Sequence, residues 1–335
     1  MVFDPNAAAV PGSGIFGLPS DEAAAAIVLV PVPFAATVSY GGGAELGPSA
    51  ILAASCQVDL YDLQYGRTYE HGIALRAADP AIEALHAPTR AAVVAILADG
   101  GCPPLGDRAA PIDAAGAAVN ASTYVQTLAI LQAGKIPGIL GGDHSVPFGS
   151  IRACAERHPG MGILHIDAHA DLRVAYEGFR WSHASIMHNV LRDIPQVQRL
   201  VQVGIRDFCE QEFLAIAASA GRVITHFDAE WQRRRFEGEV FDRLCQEAVA
   251  PLPREVYVSI DIDGLDPALC PHTGTPVPGG LQFAELVHLI GVLARSGRRI
   301  VGFDLVEVAP GEDEWDANVA ARLLYKLCGA ALATR

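Results

Sequence analysis

Eight short apolar runs, most of them rich in valine, isoleucine and leucine, recur along the 335 residues, at 26–32, 72–75, 136–140, 162–166, 200–203, 222–225, 256–260 and 299–303. Helical patterns fill several of the gaps, at 117–133, 146–157, 241–249, 283–295 and 317–327. A short run that is apolar throughout, instead of alternating with polar residues, is a strand covered on both faces. Such strands alternating with helices build βαβ units, so the expected fold is α/β: a single three-layer α/β/α domain around a mostly parallel, roughly eight-stranded sheet. Residues 1–25 read as an N-terminal extension and 26–335 as the domain. Ala/Gly/Pro-rich stretches near 6–20 and 98–119 read as loops or extensions.

Polar clusters sit just beyond four of the runs. They are Gly141-Gly142-Asp143-His144-Ser145, Asp167-Ala168-His169-Ala170-Asp171, Asp261-Ile262-Asp263 and Glu307. In open parallel sheets, ligand sites gather beyond the carboxyl ends of the strands, so four distant segments are expected to converge on one edge. Asp167, His169 and Asp171 are spaced i, i+2, i+4, which puts them on one face of an extended segment; Asp261 and Asp263 share the same spacing. Unpaired carboxylates beside apolar strands are costly and demand a counter-charge. No arginine neighbours Asp261 in sequence, and Arg173 near Asp171 cannot serve every acid. Two divalent metal ions per chain satisfy the set. Four aspartates and two histidines without thiolate suit Mn²⁺, with Ni²⁺ or Co²⁺ as alternatives because imidazole is present. Taken singly, each motif reads equally as a solvated turn, and Asp143-His144 as a helix N-cap. Their shared position argues for a metallohydrolase.

These residues resemble the ureohydrolase family, which includes arginase, agmatinase and guanidinobutyrase. The family's run G-G-D-H-S, then D-A-H-x-D, then S-x-D-x-D-x-x-D-P is matched, the last by Ser259 to Pro267. His272-Thr273-Gly274-Thr275-Pro276-Val277-Pro278-Gly279-Gly280 resembles its G-T-G-T-P segment. Gly302 to Val308, and Ser39-Tyr40-Gly41-Gly42-Gly43, are similar to its late strand and early loop. The resemblance implies an arginase-like fold, closer to the agmatinase branch, and a homo-oligomer, trimer or hexamer. It implies that His144, Asp171, Asp167 and Asp261 ligate one metal, and that His169 and Asp263 ligate the other with Asp167 and Asp261 shared. A hydroxide bridging the ions would attack the guanidino carbon, releasing urea and an amine, with Asp171 accepting its hydrogen bond. Glu307 would anchor the guanidinium, His183 would protonate the leaving nitrogen, and Thr275 would contact substrate from the rim.

The loop 172–182 departs from better-known members. It lacks the small polar residues with which arginases bind an amino acid, which disfavours arginine as substrate. An agmatine-type substrate keeps an amine that Glu177 could meet, whereas a guanidino acid could pair with Arg173 or Arg180. Tyr176, Phe179 and Trp181, with Trp315, could instead fill the pocket and leave room for free guanidine only. The competing reading of these aromatics is packing of the loop on its own scaffold. A deacetylase-like amide hydrolase and an inactive partner subunit remain as readings of other classes, both opposed by the complete ligand set. His165 shares the parity of Asp167 but reads as a core histidine. A net charge of −14 and pI near 5.1 argue against nucleic acid or an anionic membrane as partner; the negative field favours approach of a cationic small molecule, although solubility alone also explains an acidic surface. Seven scattered cysteines without a CxxC pair, and an N-terminus lacking a basic leader, point to a cytoplasmic protein.

Overall fold

Every expected strand forms, and each pairs with its neighbours in parallel. The strands are β1 (Ile27–Val32), β2 (Ile73–Leu75), β3 (Ile136–Gly141), β4 (Gly162–Ile166), β5 (Arg199–Ile205), β6 (Val223–Phe227), β7 (Glu255–Asp261) and β8 (Arg299–Val306). They build one eight-stranded sheet in the order β2-β1-β3-β8-β7-β4-β5-β6, and all seven pairings are parallel. β1 and β3 are buried along their whole length, as their unbroken apolar character requires. The computed structural model describes residues 3–10, 12–100 and 106–335.

Among the described residues, ten α-helices cover the two faces: α1 (Gly47–Ser55), α2 (Pro80–Ala98), α3 (Ala110–Gln132), α4 (Phe148–Arg157), α5 (Ile186–Asp193), α6 (Glu210–Ala218), α7 (Asp228–Phe236), α8 (Phe241–Val249), α9 (Phe283–Arg295) and α10 (Trp315–Ala333). One face packs Ile51, Leu244, Leu289 and Leu324, from α1, α8, α9 and α10, onto Leu29, Leu164, Val258 and Leu305. The other packs Phe148, Ile151 and Val190, from α4 and α5, onto Ile163, Leu200 and Tyr257. Val119 of α3 closes over Val28 and Ile139 on that same side.

Three boundaries differ from the sequence reading. α3 starts at Ala110, so the second half of the 98–119 stretch is helix and not loop; residues 101–105 lie outside the described residues. Alanine is the best helix former, and Ile112, Ala115 and Val119 recur at helical spacing on the buried side. Gly116, which gave the stretch its loop character, is a packing glycine: a Cβ there would come within 2.6 Å of the Trp181 Cβ. α2 also forms where no helix was read, with Asp79 capping Ala81 N–H at 3.0 Å and Pro80 in its first turn. Within 1–25, Ile15, Phe16 and Leu18 are buried in the main core, with Phe16 edge-on to Tyr325 at 4.9 Å.

The strand order decides where function can sit. The chain leaves β3, crosses to β4, and later inserts β7 and β8 between them. β3, β8, β7 and β4 thus become adjacent at the centre of the sheet, and they are the four strands that end in the polar clusters.

Candidate metal centre

β3 runs into Gly142, where a Cβ would collide with the carbonyl oxygens of Phe34 and Val32, so only glycine lets the chain turn there. The turn delivers His144, fully buried, into the space between the strand ends. Its Nδ1 lies 3.0 Å from Asp167 Oδ2, 3.1 Å from Asp171 Oδ2 and 3.4 Å from Asp261 Oδ2. Asp167 borders a second group as well. His169 Nδ1 is 3.4 Å from Asp167 Oδ1 and 3.1 Å from Asp263 Oδ2. Two donor groups therefore meet at Asp167, one around His144 and one of Asp167, His169 and Asp263. Asp261 adjoins the first group; its Oδ1 turns back to accept the Asp263 backbone N–H at 2.9 Å.

Two site residues hold left-handed backbone, Asp171 at φ 53° and Glu307 at φ 60°. Non-glycine residues adopt this region at a cost and keep it where surrounding bonds enforce it. The Asp171 carbonyl accepts Met187 N–H and His188 N–H of α5, both at 3.1 Å. Glu307 donates its N–H to the Gly142 carbonyl at 2.8 Å and accepts Thr273 Oγ1 on its own carbonyl at 2.8 Å. Its side chain accepts His144 N–H on Oε1 at 2.8 Å, while Oε2 is buried without a partner.

The electrostatics call for a cation. Among the described residues the four aspartates pair only with histidines, and no lysine or arginine reaches their carboxylates. Burial, then Asp263 and Asp167, raise Asp261 well above the usual carboxylate range. Burial and Asp143 do the same to Glu307. Burial and Asp167 push Asp171 up to about 7. Burial acts against ionised Asp167 too, but His165, His144 and His169 outweigh it and hold that carboxyl well below its ordinary value. The protein thus supplies more carboxylate than it can neutralise by itself. An oxygen-rich, thiolate-free pair of donor groups sharing one aspartate fits two hard or borderline divalent ions.

A cleft of about 290 Å³ opens over the centre, and Tyr40, His169, Asp171, Arg173, Tyr176, His183, Asp207, Glu212 and Thr275 are among the residues lining it. His183 is anchored by Thr37, whose Oγ1 accepts the His183 backbone N–H at 3.1 Å and lies 3.3 Å from its Nδ1. Burial, then His169 and His144, push this imidazole down to about 3. Thr275 stands at the rim, 3.4 Å from Asp263 Oδ2.

Three residues read as substrate contacts lie elsewhere. Trp181 packs edge-to-face on Phe148 at 4.8 Å beside α3, in the space that Gly116 leaves, with Arg180 over its ring at 4.7 Å. Trp315 opens α10, exposed, and donates Nε1–H to the Ala268 carbonyl at 3.0 Å. Glu177 lies outside the cleft lining. Phe179 is buried with Val93 and Ile96, so Tyr176 is the aromatic residue of loop 172–182 that faces the site. Conversely, His165 reaches the centre: its Nε2 is 2.8 Å from Asp167 Oδ2. Its shared parity with Asp167 was the available signal. Thr37 carried none, because it lies in an irregular loop after β1.

Comparison with known proteins agrees with this geometry. The sequence profile of the arginase family matches residues 25–329. The chain is 33% identical over 308 residues to the N(1)-aminopropylagmatine ureohydrolase of Thermus thermophilus, covering 91% of this chain and 90% of that protein. It is 32% identical over 302 residues to the agmatinase of Bacillus subtilis, covering 90% of each. The crystal structure of agmatine ureohydrolase of Thermoplasma volcanium superposes with a TM-score of 0.74 at 25% identity, over 97% of this chain and 96% of that one.

Proposed function

This chain belongs to the arginase family as a metal-dependent ureohydrolase of its agmatinase-like branch, and we propose that it hydrolyses a guanidino compound with an amine tail, of the agmatine type, to urea and an amine. The observation that carries this reading is the buried, unpartnered Oε2 of Glu307 beside the aspartate–histidine centre. A guanidinium is a planar cation with paired N–H donors, and a carboxylate oxygen held away from water is its complement.

Within this reading His144, Asp171, Asp167 and Asp261 would hold one ion and Asp167, His169 and Asp263 the other, Mn²⁺ being the best match to the donors, with Ni²⁺ or Co²⁺ as alternatives. When bound, two such ions supply a hydroxide nucleophile at neutral pH and polarise the substrate. Glu307 fixes the guanidinium carbon over the centre, converting an encounter into a positioned reaction. Asp171, whose backbone is clamped by α5, presents its carboxylate to the nucleophile's hydrogen. His183, steered by Thr37 through its Nδ1 side, carries the proton to the departing amine.

The tail preference rests on charge. Asp207 presents a largely exposed carboxylate in the cleft, 4.0 Å from His169 Nε2. Arg173 lies under the influence of Glu212 at 3.6 Å and covers Tyr176 at 4.8 Å, which leaves it less available to a substrate carboxylate. With Trp181 and Trp315 outside the cleft, the argument for a pocket closed down to free guanidine loses its support. The test is urea release from agmatine, N(1)-aminopropylagmatine, guanidine, 4-guanidinobutyrate, 3-guanidinopropionate and arginine, after loading with Mn²⁺ or with Ni²⁺. Highest kcat/KM on an amine-tailed compound is expected. A preference for a guanidino acid would reassign Arg173 as the tail anchor, and preference for guanidine itself would refute the amine-tail reading.

A further inference from the structure

One layer beneath the metal centre, five polar side chains cross the otherwise apolar sheet in a single row. The strand registers pair Thr225 with Gln202, Gln202 with His165, His165 with Ser259, and Ser259 with Asp304. Laterally paired residues of a parallel sheet point to the same face, and here that is the face covered by α4 and α5. Four of the five are fully buried. Buried polar groups in the middle of a sheet are costly unless each is satisfied, so such a row calls for an explanation.

The direction of its hydrogen bonds can be read from one end. The Ala170 carbonyl can only accept, and Gln202 Nε2 donates to it at 2.7 Å, which fixes the orientation of the amide. Gln202 Oε1 accordingly accepts Thr225 Oγ1–H at 2.9 Å. The same Nε2 lies 3.0 Å from His165 Nδ1, which must therefore be the unprotonated ring nitrogen. His165 then carries its proton on Nε2 and donates it to Asp167 Oδ2 at 2.8 Å. At the other end Ser259 Oγ donates to Asp304 Oδ1 at 3.0 Å, so its oxygen is free to accept His144 Nε2–H at 2.9 Å. With Nε2 engaged in this way, Nδ1 is the His144 nitrogen turned toward the three aspartates.

We infer that this row is a positioning layer for the metal centre: the Gln202–His165 arm orients Asp167, the aspartate common to both donor groups, and the Ser259–Asp304 arm orients the ring of His144 through its Nε2. The inference rests on the reading of the centre as a metal site. His165 and Gln202 are positioning residues in this reading, because they act through Asp167. Hydrogen-bond partners of this kind typically change metal affinity by roughly 10–100-fold when removed.

The test is Mn²⁺ binding to the metal-free chain by chelator competition, with no activity readout. His165→Phe keeps a ring without the donor, and Gln202→Met keeps the volume without the amide. Each is expected to weaken the tighter ion by roughly 10–100-fold, and the double variant to be no worse than His165→Phe alone, because Gln202 acts through His165. His165→Gln, which can still donate to Asp167, should recover much of the loss. A ¹⁵N-histidine spectrum of the metal-free chain should show His165 protonated on Nε2. If wild-type chain binds no ion, the metal-site reading itself fails. If it binds ions and both single variants match it within about twofold, or their effects add in full, the positioning layer is refuted. Should His165→Phe not fold, Gln202→Met decides alone, since it leaves His165 in place.

Discussion

Glu307→Gln separates substrate recognition from metal binding. The two oxygens of this carboxylate have different tasks: Oε1 accepts His144 N–H at 2.8 Å, and Oε2 is buried with no protein partner. Glutamine would keep its carbonyl oxygen on His144 N–H and turn an NH₂ toward the guanidinium. A charge-assisted hydrogen bond of about 1.5–3 kcal/mol is lost, and two donors then face each other unsatisfied at a further cost of about 1–3 kcal/mol. The sum, about 2.5–6 kcal/mol, corresponds to a fall of about 10²–10⁴-fold in kcat/KM. Because the contact is with the guanidinium head, all substrates should lose similarly. Metal content should stay at the wild-type level, since the His144 contact survives. The metal-free chain should be no less stable, because burial already disfavours the ionised carboxylate there. Urea release, metal analysis and a thermal melt on one preparation measure all three. Activity within about fivefold of wild type, or a loss confined to amine-tailed substrates, would refute the assignment of Oε2.

Two other outcomes follow from the geometry. His183→Ala should lower kcat by roughly 10²–10⁴ with the metals retained, and an unchanged turnover number would return His183 to a structural role alongside Thr37. Asp304 gives a pH test in the metal-free chain: burial raises it from 3.8 to about 6. The folded state keeps this proton where the unfolded chain has released it. Its contribution is therefore present in full below pH 3.8 and is lost as pH rises through 6, a change of about 3 kcal/mol at about 1.36 kcal/mol per pKa unit. Urea unfolding at pH 4.5 and pH 7 should show Asp304→Asn gaining on wild type at the higher pH; parallel profiles would contradict the raised carboxyl.

Much of the site was visible before any folding. Apolar runs such as 162–166 and 256–260, each followed at once by acids and imidazoles, announced both the sheet and the chemistry at its edge, since side-chain period and strand burial are local properties. The loop residues were harder. Trp181 could be assigned to the pocket or to its scaffold on sequence grounds alone, and what settled its place was a groove beside Gly116, more than sixty residues away. His165 looked like a core histidine because nothing in its own strand shows that Gln202 lies beside it.

The sequence by itself therefore determined which segments become strands, which residues end them, and that those residues are metal-binding in type. Only the tertiary structure decided that β8 and β7 insert between β3 and β4, that Asp171 and Glu307 are held in left-handed backbone, that Thr37 steers His183, and that a polar row runs under Asp167 and His144. The physical reason is one of range. Propensity and periodicity act between near neighbours along the chain, whereas strand order, hydrogen-bond direction across strands and the occupancy of a groove depend on segments that meet only after the sheet has closed.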